Sequence, residues 1–312
     1  MPKKIYENVD GVALDNSMKR FQQWRKERRT KQKDLFYIIP QVSSLDIEGM
    51  LSQNSMTWIG HATFLLRYCG LTIVTDPVWA KSMAFKKRLA EPGIPLERMP
   101  SVDVVLISHG HYDHLDFPSL RALKGDPVIL VPEGLKAKLL RKGFRKVEEL
   151  AWWQSITIAG VQIDFVPTQH WTRRTLRDTN RSHWGGWVIQ EEKRELGSAP
   201  SIYFAGDSGY FRGFTEIGQR YNLDYVLMPI GAYEPEWFMS KQHVTPEEAI
   251  QAFLDSGGKH FIPMHYGAFF LADDTPKEAL DRLYAEWERR QLDTAALNVL
   301  IHGEMLRIEN GK

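Results

Sequence analysis

The sequence predicts a layered α/β fold, sheets covered by helices, and three observations carry that expectation. Short apolar runs rich in β-branched residues recur from Met56 to Ile308. Helical stretches opened by a proline or an N-cap residue stand between them. Several of the runs lead to His or Asp, residue types that hold metal ions.

Composition narrows the class. The 312 residues are 43% apolar and 25% charged, ordinary values for a globular chain that can form one layered domain. A net charge of +1 sets up no global field, so no nucleic-acid partner is expected. Cys69 is the single cysteine, which excludes an internal disulfide and a Cys-type zinc site. Any metal must therefore be held by His, Asp and Glu. Residues 1–12 lack the apolar segment of a secretory signal, and no run of 18 apolar residues exists, so a cytoplasmic location is expected.

Residues 1–50 read as a basic N-terminal extension and residues 51–312 as the main domain. Residues 18–33 hold eight Lys or Arg against one acid, Glu27, with Met18, Phe21 and Trp24 at helical spacing. The spacing predicts a solvated helix docking those three apolar side chains on the main domain. The alternative is a basic helix resting on anionic lipid, a peripheral membrane contact.

Residues 56–59, 64–68 and 71–75 predict adjacent strands, the last two joined by a turn at Cys69-Gly70. His61, between strands, either faces the site or is a structural turn residue, and the turn reading is preferred. Asp76 ends the third run. It either accepts the free ring N–H of a ligand histidine or closes an ordinary strand-end turn before Pro77. Lys81, Lys86, Lys87 and Arg88 predict a basic surface loop that could line an active-site mouth.

Residues 104–107 predict a buried strand, and the turn after it is the densest chemistry in the chain. Residues 109–116 hold three histidines and two aspartates. His109 and His111, two apart, can converge on one ion, leaving Asp113 and His114 for a second. Helix, strand, helix and a strand pair at 155–159 and 161–166 follow. Three more candidate ligands then arrive with the same grammar: His170, Asp207 and His265, each after an apolar run. Together they fit two ions: His109, His111 and His170 for one, Asp113, His114 and His265 for the other, and Asp207 between them.

The stretch 171–187 is dense in Arg and Trp, and Arg173 and Arg174 are candidate phosphate contacts. Residues 233–243 form an aromatic stretch ending in Gln242 and His243, with Trp237 as a surface for a lipid chain. Thr245-Pro246-Glu247-Glu248 predicts a helix start, and a last long helix spans 276–290. Residues 299–303 and 305–308 predict a closing hairpin. His302 is read as structural.

The signature His109-x-His111-x-Asp113-His114 with His170, Asp207 and His265 resembles the metallo-β-lactamase superfamily. A narrower set looks like the N-acyl-phosphatidylethanolamine-hydrolysing phospholipase D family. It comprises residues 169–174 with Asp178, Asn180 and 184–187, the stretches 204–210 and 229–239, and Gln242-His243-Val244. The resemblance covers about residues 50–305. It implies an αββα sandwich and a zinc-dependent phosphodiesterase with two zinc ions. It implies His109, His111, Asp113, His114, His170, Asp207 and His265 as metal ligands and places His243 near the substrate phosphate. Ser208 stands where the family more usually has Thr, and Tyr266 where Trp is expected.

The expected reaction is phospholipase D-type hydrolysis of N-acyl-phosphatidylethanolamine-like lipids to phosphatidic acid and an N-acylethanolamine. Water activated between the ions attacks phosphorus, with Asp113 and His243 as candidate catalytic residues. Arg173, Arg174, Trp237, Gln242 and His243 are the candidate substrate contacts. Zn is the expected cofactor, and Mn, Fe and Ni suit the same donors. Two alternatives stand beside it. One is hydrolysis of lactones, esters or small phosphodiesters; the other is a metal- and lipid-binding protein on a retired hydrolase scaffold.

Overall fold

The computed structural model describes residues 4–13, 18–29, 36–83, 86–195 and 197–309. In chain order the helices are α1 (Met18–Glu27), α2 (Ile47–Ser52), α3 (Phe117–Ala122), α4 (Lys136–Arg141), α5 (Gly213–Arg220), α6 (Glu236–Met239), α7 (Pro246–Asp255) and α8 (Pro276–Arg289). The first strands are β1 (Ser55–Gly60), β2 (Thr63–Tyr68), β3 (Leu71–Thr75), β4 (Ser82–Met83), β5 (Lys86–Lys87), β6 (Ser101–Leu106), β7 (Lys124–Pro132) and β8 (Val147–Leu150). They are followed by β9 (Ser155–Ile158), β10 (Val161–Val166), β11 (Gly186–Glu191), β12 (Ile202–Phe204), β13 (Tyr225–Pro229), β14 (His260–Met264) and β15 (Met305–Arg307).

Two sheets build the sandwich. The first runs β15-β1-β2-β3-β6-β7-β8 and the second β14-β13-β12-β11-β10-β9. Strand periodicity explains why both faces of the first sheet are apolar. Phe64, Leu66, Ile73, Val104 and Leu106 enter the core between the sheets. Leu65, Val74 and Val105, one residue out of phase, enter a second core on the outer face with Leu120 of α3 and Leu139 of α4. On the second sheet, α7 and α8 contribute Ala249, Ile250, Phe253, Leu283 and Trp287 to the central core.

Helix starts follow the local chemistry. Thr245 and Glu248 form a reciprocal capping box ahead of α7, with Pro246 in its first turn. Thr275 caps α8 with Pro276 behind it, and Asp116 caps α3 through the Ser119 amide.

Three expectations change. Residues 299–303 and 305–308 make no hairpin: β15 pairs antiparallel with β1, and His302 bridges to Gln41. An edge strand takes its partner from tertiary packing, which a local turn signal does not encode. Of the three apolar residues expected to dock from α1, only Trp24 is buried; Met18 is 69% exposed and Phe21 39%. Trp24 stacks on Phe238 and its indole N–H donates to Asp273 Oδ2 at 2.6 Å. Lys31 and Lys33 of the basic run lie outside the described residues. In the basic loop, Lys86 and Lys87 are exposed on β5, but Arg88 turns inward and donates to the carbonyls of Ala90 and Val78. No helix among the described residues is long and apolar enough to cross a membrane.

Candidate metal centre

Strand direction gathers the site. β3 and β6 run parallel, as do β12, β13 and β14, so their C-terminal ends open on common edges. Asp76 follows β3, the 108–116 turn follows β6, Asp207 follows β12 and His265 follows β14. His170 follows β10, and His61 sits in the β1–β2 turn. Trp187 on β11 ties the sheets beneath the turn, its indole donating to Ile107 O at 3.1 Å, while the Gly185 amide donates to Ser108 O. His61, Asp76 and His265 hold left-handed backbone, φ 56°, 32° and 62°, which costs energy for non-glycine residues and recurs where function constrains the chain.

All seven expected ligands meet in one buried pocket. The ring nitrogens of His109, His111 and His170 form one group, with His109 Nε2 and His170 Nε2 at 2.8 and 3.2 Å from His111 Nδ1. Asp113, His114 and His265 form the other, joined by His61. The Asp207 carboxylate faces both: Oδ2 is 3.2 Å from His114 Nε2, 3.8 Å from His170 Nε2 and 3.9 Å from His109 Nε2, and Oδ1 is 3.2 Å from His265 Nε2.

Outer partners orient the rings. The Ser108 hydroxyl donates to Asp76 Oδ2 at 2.6 Å and so accepts from His109 Nδ1 at 2.9 Å. His170 Nδ1 donates to Gln242 O at 2.9 Å, and His114 Nδ1 faces Asp76 Oδ2 at 2.7 Å. With a proton on each Nδ1, the Nε2 lone pairs of His109, His114 and His170 all point inward. Two carboxylates among these rings hold the His114 and His265 pKa above the ordinary imidazole value, and a divalent cation bound there would take the place of those protons. The donor set therefore fits divalent metal, with imidazole and carboxylate suiting Zn, Mn, Fe or Ni alike.

Electrostatics follow burial and neighbours. Burial pulls His109 and His170 well below the ordinary imidazole value and brings His111 and His243 down to about 4. Burial opposes charge on His265 too, yet Asp207 and Asp113 hold it up at about 9. Burial works to protonate Asp113 and Asp207, but the adjoining His114 keeps both carboxyls well below the usual range.

The remaining candidates divide. His243 belongs to the cluster, Nδ1 3.9 Å from Asp207 Oδ2. Asp76 lies in the layer behind the ligands. Gln242 acts through its carbonyl on His170, and its side-chain amide donates to Met239 Sδ. Arg173 stacks over Trp171, whose ring meets His111 edge-on at 4.9 Å. Arg174 braces the ligand turn: Nη1 donates to the carbonyls of Gly110, His111 and Leu115 at 2.9, 3.2 and 2.8 Å. Trp237 packs on α1, its indole N–H donating to Glu27.

His61, for which the sequence favours the turn reading over a site-facing one, is part of the centre. Its Nε2 lies 2.9 Å from Asp113 Oδ2, and its ring lies 4.1 Å from that of His265. The signal was a histidine after glycine at a strand-to-strand turn, too common to single out. Asn8 was also missed. Its Oδ1 accepts from the His170 amide at 2.9 Å and from the Trp184 indole at 3.0 Å, which brings residues 4–13 against the centre.

The chain matches the family described as Beta-lactamase superfamily domain over residues 72–266. An uncharacterized protein of Mycobacterium tuberculosis is 36% identical over 270 residues, 82% of this chain and 70% of that protein. A Saccharomyces cerevisiae protein named N-acyl-phosphatidylethanolamine-hydrolyzing phospholipase D, mitochondrial, is 32% identical over 256 residues, 77% of this chain. A Caenorhabditis elegans protein named N-acyl-phosphatidylethanolamine-hydrolyzing phospholipase D 1 is 36% identical over 232 residues, 68% of this chain. The chain spans 53% of the yeast protein and 64% of the worm protein. The structure of isothiocyanate hydrolase from Delia radicum gut bacteria aligns with a TM-score of 0.66 at 18% identity, over 82% of this chain and 99% of that one, a likeness of fold. With the sandwich, the buried His/Asp pocket and the family match in agreement, the chain belongs to the beta-lactamase superfamily and is built as a metal-dependent hydrolase.

Proposed function

We propose that the chain is a phospholipase D-type phosphodiesterase that converts N-acyl-phosphatidylethanolamine-like lipids to phosphatidic acid and N-acylethanolamine. The observation that carries the chemistry is the convergence of seven ligand-type side chains on one pocket with their lone pairs turned inward. The names of the yeast and worm relatives support the lipid.

His109, His111 and His170 would hold one ion, and Asp113, His114 and His265 the second, with His61 steadying Asp113 and Asp207 shared. Divalent ions bound there would supply Lewis acidity, lowering the pKa of water toward about 7 and neutralising phosphoryl charge. In the hydrolysis, a water oxygen bonds to phosphorus, the bond from phosphorus to the ethanolamine oxygen breaks, and that oxygen takes a proton.

The protein's own part is preorganisation. Ser108, Asp76 and the Gln242 carbonyl fix three rings before substrate arrives, so no reorientation accompanies reaction. Asp113, held ionised, serves as an acceptor and not as a proton donor. His243 is held neutral by burial and offers a ring N–H to a phosphoryl or leaving-group oxygen. Arg173, exposed beside Trp171, is the phosphate contact of this reading, and the half-buried Trp237 beside α1 is its contact for an acyl chain.

The test is purified metal-loaded protein offered N-acyl-phosphatidylethanolamine, a soluble phosphodiester and a lactone, with products read by mass spectrometry and His109→Ala as control. Phosphatidic acid and N-acylethanolamine absent from the control would support the reading. Lactone opening alone would replace it with an ester hydrolase. Bound metal with no turnover of any substrate would point to a retired scaffold.

A further inference from the structure

A second polar cavity lies behind the ligand turn. It is about 190 Å³, set between α4 and the loop that follows His170. In a chain of net charge +1, five cationic side chains line it, Lys138, Arg141, Arg174, Arg177 and Arg181, against one carboxylate, Asp178. That carboxylate is occupied: it accepts from the Arg174 and Thr175 amides at 2.9 and 2.7 Å and from Lys138 Nζ at 2.9 Å. Glu149, at the outer edge, accepts the Gly134 and Lys136 amides. Among the described residues, neither Arg141 nor Arg177 forms an ion pair; Arg141 Nε donates to Ala137 O of its own helix.

Two hydroxyls complete the lining. Thr172 is 2% exposed and Ser182 7%, and neither hydroxyl has a hydrogen-bond partner among the described residues. Neither hydroxyl oxygen is shut off from solvent, so both are open to an acceptor that enters the cavity. Gly110 lets both hydroxyls approach the ligand turn: a Cβ there would lie 2.6 Å from Thr172 Oγ1 and 3.4 Å from Ser182 Oγ. The cavity thus sits on the Gly110 side of the turn, while His109 and His111 face the metal pocket.

We propose that this cavity is a phosphate-binding site, distinct from the metal centre. Arginine forks and hydroxyl donors suit a tetrahedral oxyanion with several acceptor oxygens and no donor requirement. The ligand is free phosphate or the phosphomonoester head of an anionic phospholipid, and both present the same oxygens. The site stands whether or not the lipid substrate above is right, because phosphate binding is read without turnover.

The experiment titrates inorganic phosphate into the metal-loaded full chain by calorimetry, comparing wild type, the charge reversal Arg141→Glu/Arg177→Glu, and Ser182→Ala. Phosphate can also enter the metal pocket, so the cavity's share is the binding that the variants lose while hydrolysis of a soluble phosphodiester stays unchanged. The charge reversal should weaken that binding by about tenfold or more, and Ser182→Ala by several-fold. Ser182→Ala removes one oxygen and no charge, so it remains a fair test if the double variant unfolds. Equal binding in all three proteins overturns the proposal. So does weakening confined to the charge reversal, which would mean a diffuse field and not a built site. Flotation on phosphatidylcholine vesicles with and without phosphatidic acid then separates the sources. Phosphatidic-acid-dependent flotation lost in both variants assigns the lipid head; flotation unchanged while phosphate binding falls assigns the free ion.

Discussion

The Nδ1 of His114 lies 2.7 Å from Oδ2 of Asp76, and neither side chain reaches solvent. The same carboxylate accepts the Ser108 amide at 2.7 Å and the Ser108 hydroxyl at 2.6 Å. Burial raises the Asp76 pKa, and the contacts with His114 and Ser108 work against that rise. One carboxylate behind the ligands therefore sets two imidazole tautomers, His114 directly and His109 through a hydroxyl.

Removing that carboxylate should loosen the metal without dismantling the fold. Asp76→Ala is expected to weaken metal affinity by about 10–100-fold, the usual cost of losing an outer partner. Competition with a chelating dye measures it. Unchanged affinity would return Asp76 to the role of a strand-end turn residue.

Asp207 faces both ligand groups, so its loss should be felt by both. Asp207→Asn is expected to lower kcat on the order of 10²–10³-fold or more while the circular dichroism spectrum holds. Near-normal turnover would count against a shared carboxylate.

Chelation should destabilise as well as inactivate. Metal that binds only the folded chain stabilises it by about 4 kcal/mol at a thousandfold excess over Kd. Tm should rise with added metal in the wild type and respond far less in His109→Ala. A Tm indifferent to metal would sink the site.

Acid stability tests a histidine outside the centre. Burial brings His302 down to about 4, with Arg88 adding to the shift, while its Nδ1 donates to Glu91 O. The folded pKa is below the unfolded one. The contribution is therefore complete above about 6.5, and it is lost as pH falls toward 4, roughly 3 kcal/mol in all. Asn at 302 can keep the donor at Nδ1 and cannot titrate. Urea midpoints of His302→Asn should fall less steeply than wild type across that window; parallel slopes would refute the assignment.

Trp24 should decide whether α1 stays docked. Trp24→Ala removes its stacking on Phe238 and leaves Asp273 without the indole donor, a local loss of about 3 kcal/mol. Hydrogen exchange should rise through residues 18–29, with Trp24→Phe intermediate. Protection equal to wild type would mean that other contacts hold α1.

Much of this was legible in short windows. The strand before His109, the apolar runs before His170, Asp207 and His265, and the starts of α7 and α8 all declare themselves in fewer than ten residues. Other elements did not. β11 was obscured because Trp184 and Trp187 stand in a stretch whose arginines and tryptophans mask any strand pattern; both are buried, and Trp187 bridges to Ile107 O. Arg174 reads as a phosphate contact by type, but its position over the carbonyls of the ligand turn gives it a different task.

Local order, side-chain type and period thus determined which residues could bind metal and which segments could be strands, because those properties act over a few neighbouring positions. Folding decided the rest: that His61 faces Asp113, that Asp76 governs His114, that β15 crosses to β1, and that Asn8 reaches back to His170. Those pairs lie tens to hundreds of residues apart. Their meeting depends on sheet packing over the whole core, to which no single stretch of chain holds the key.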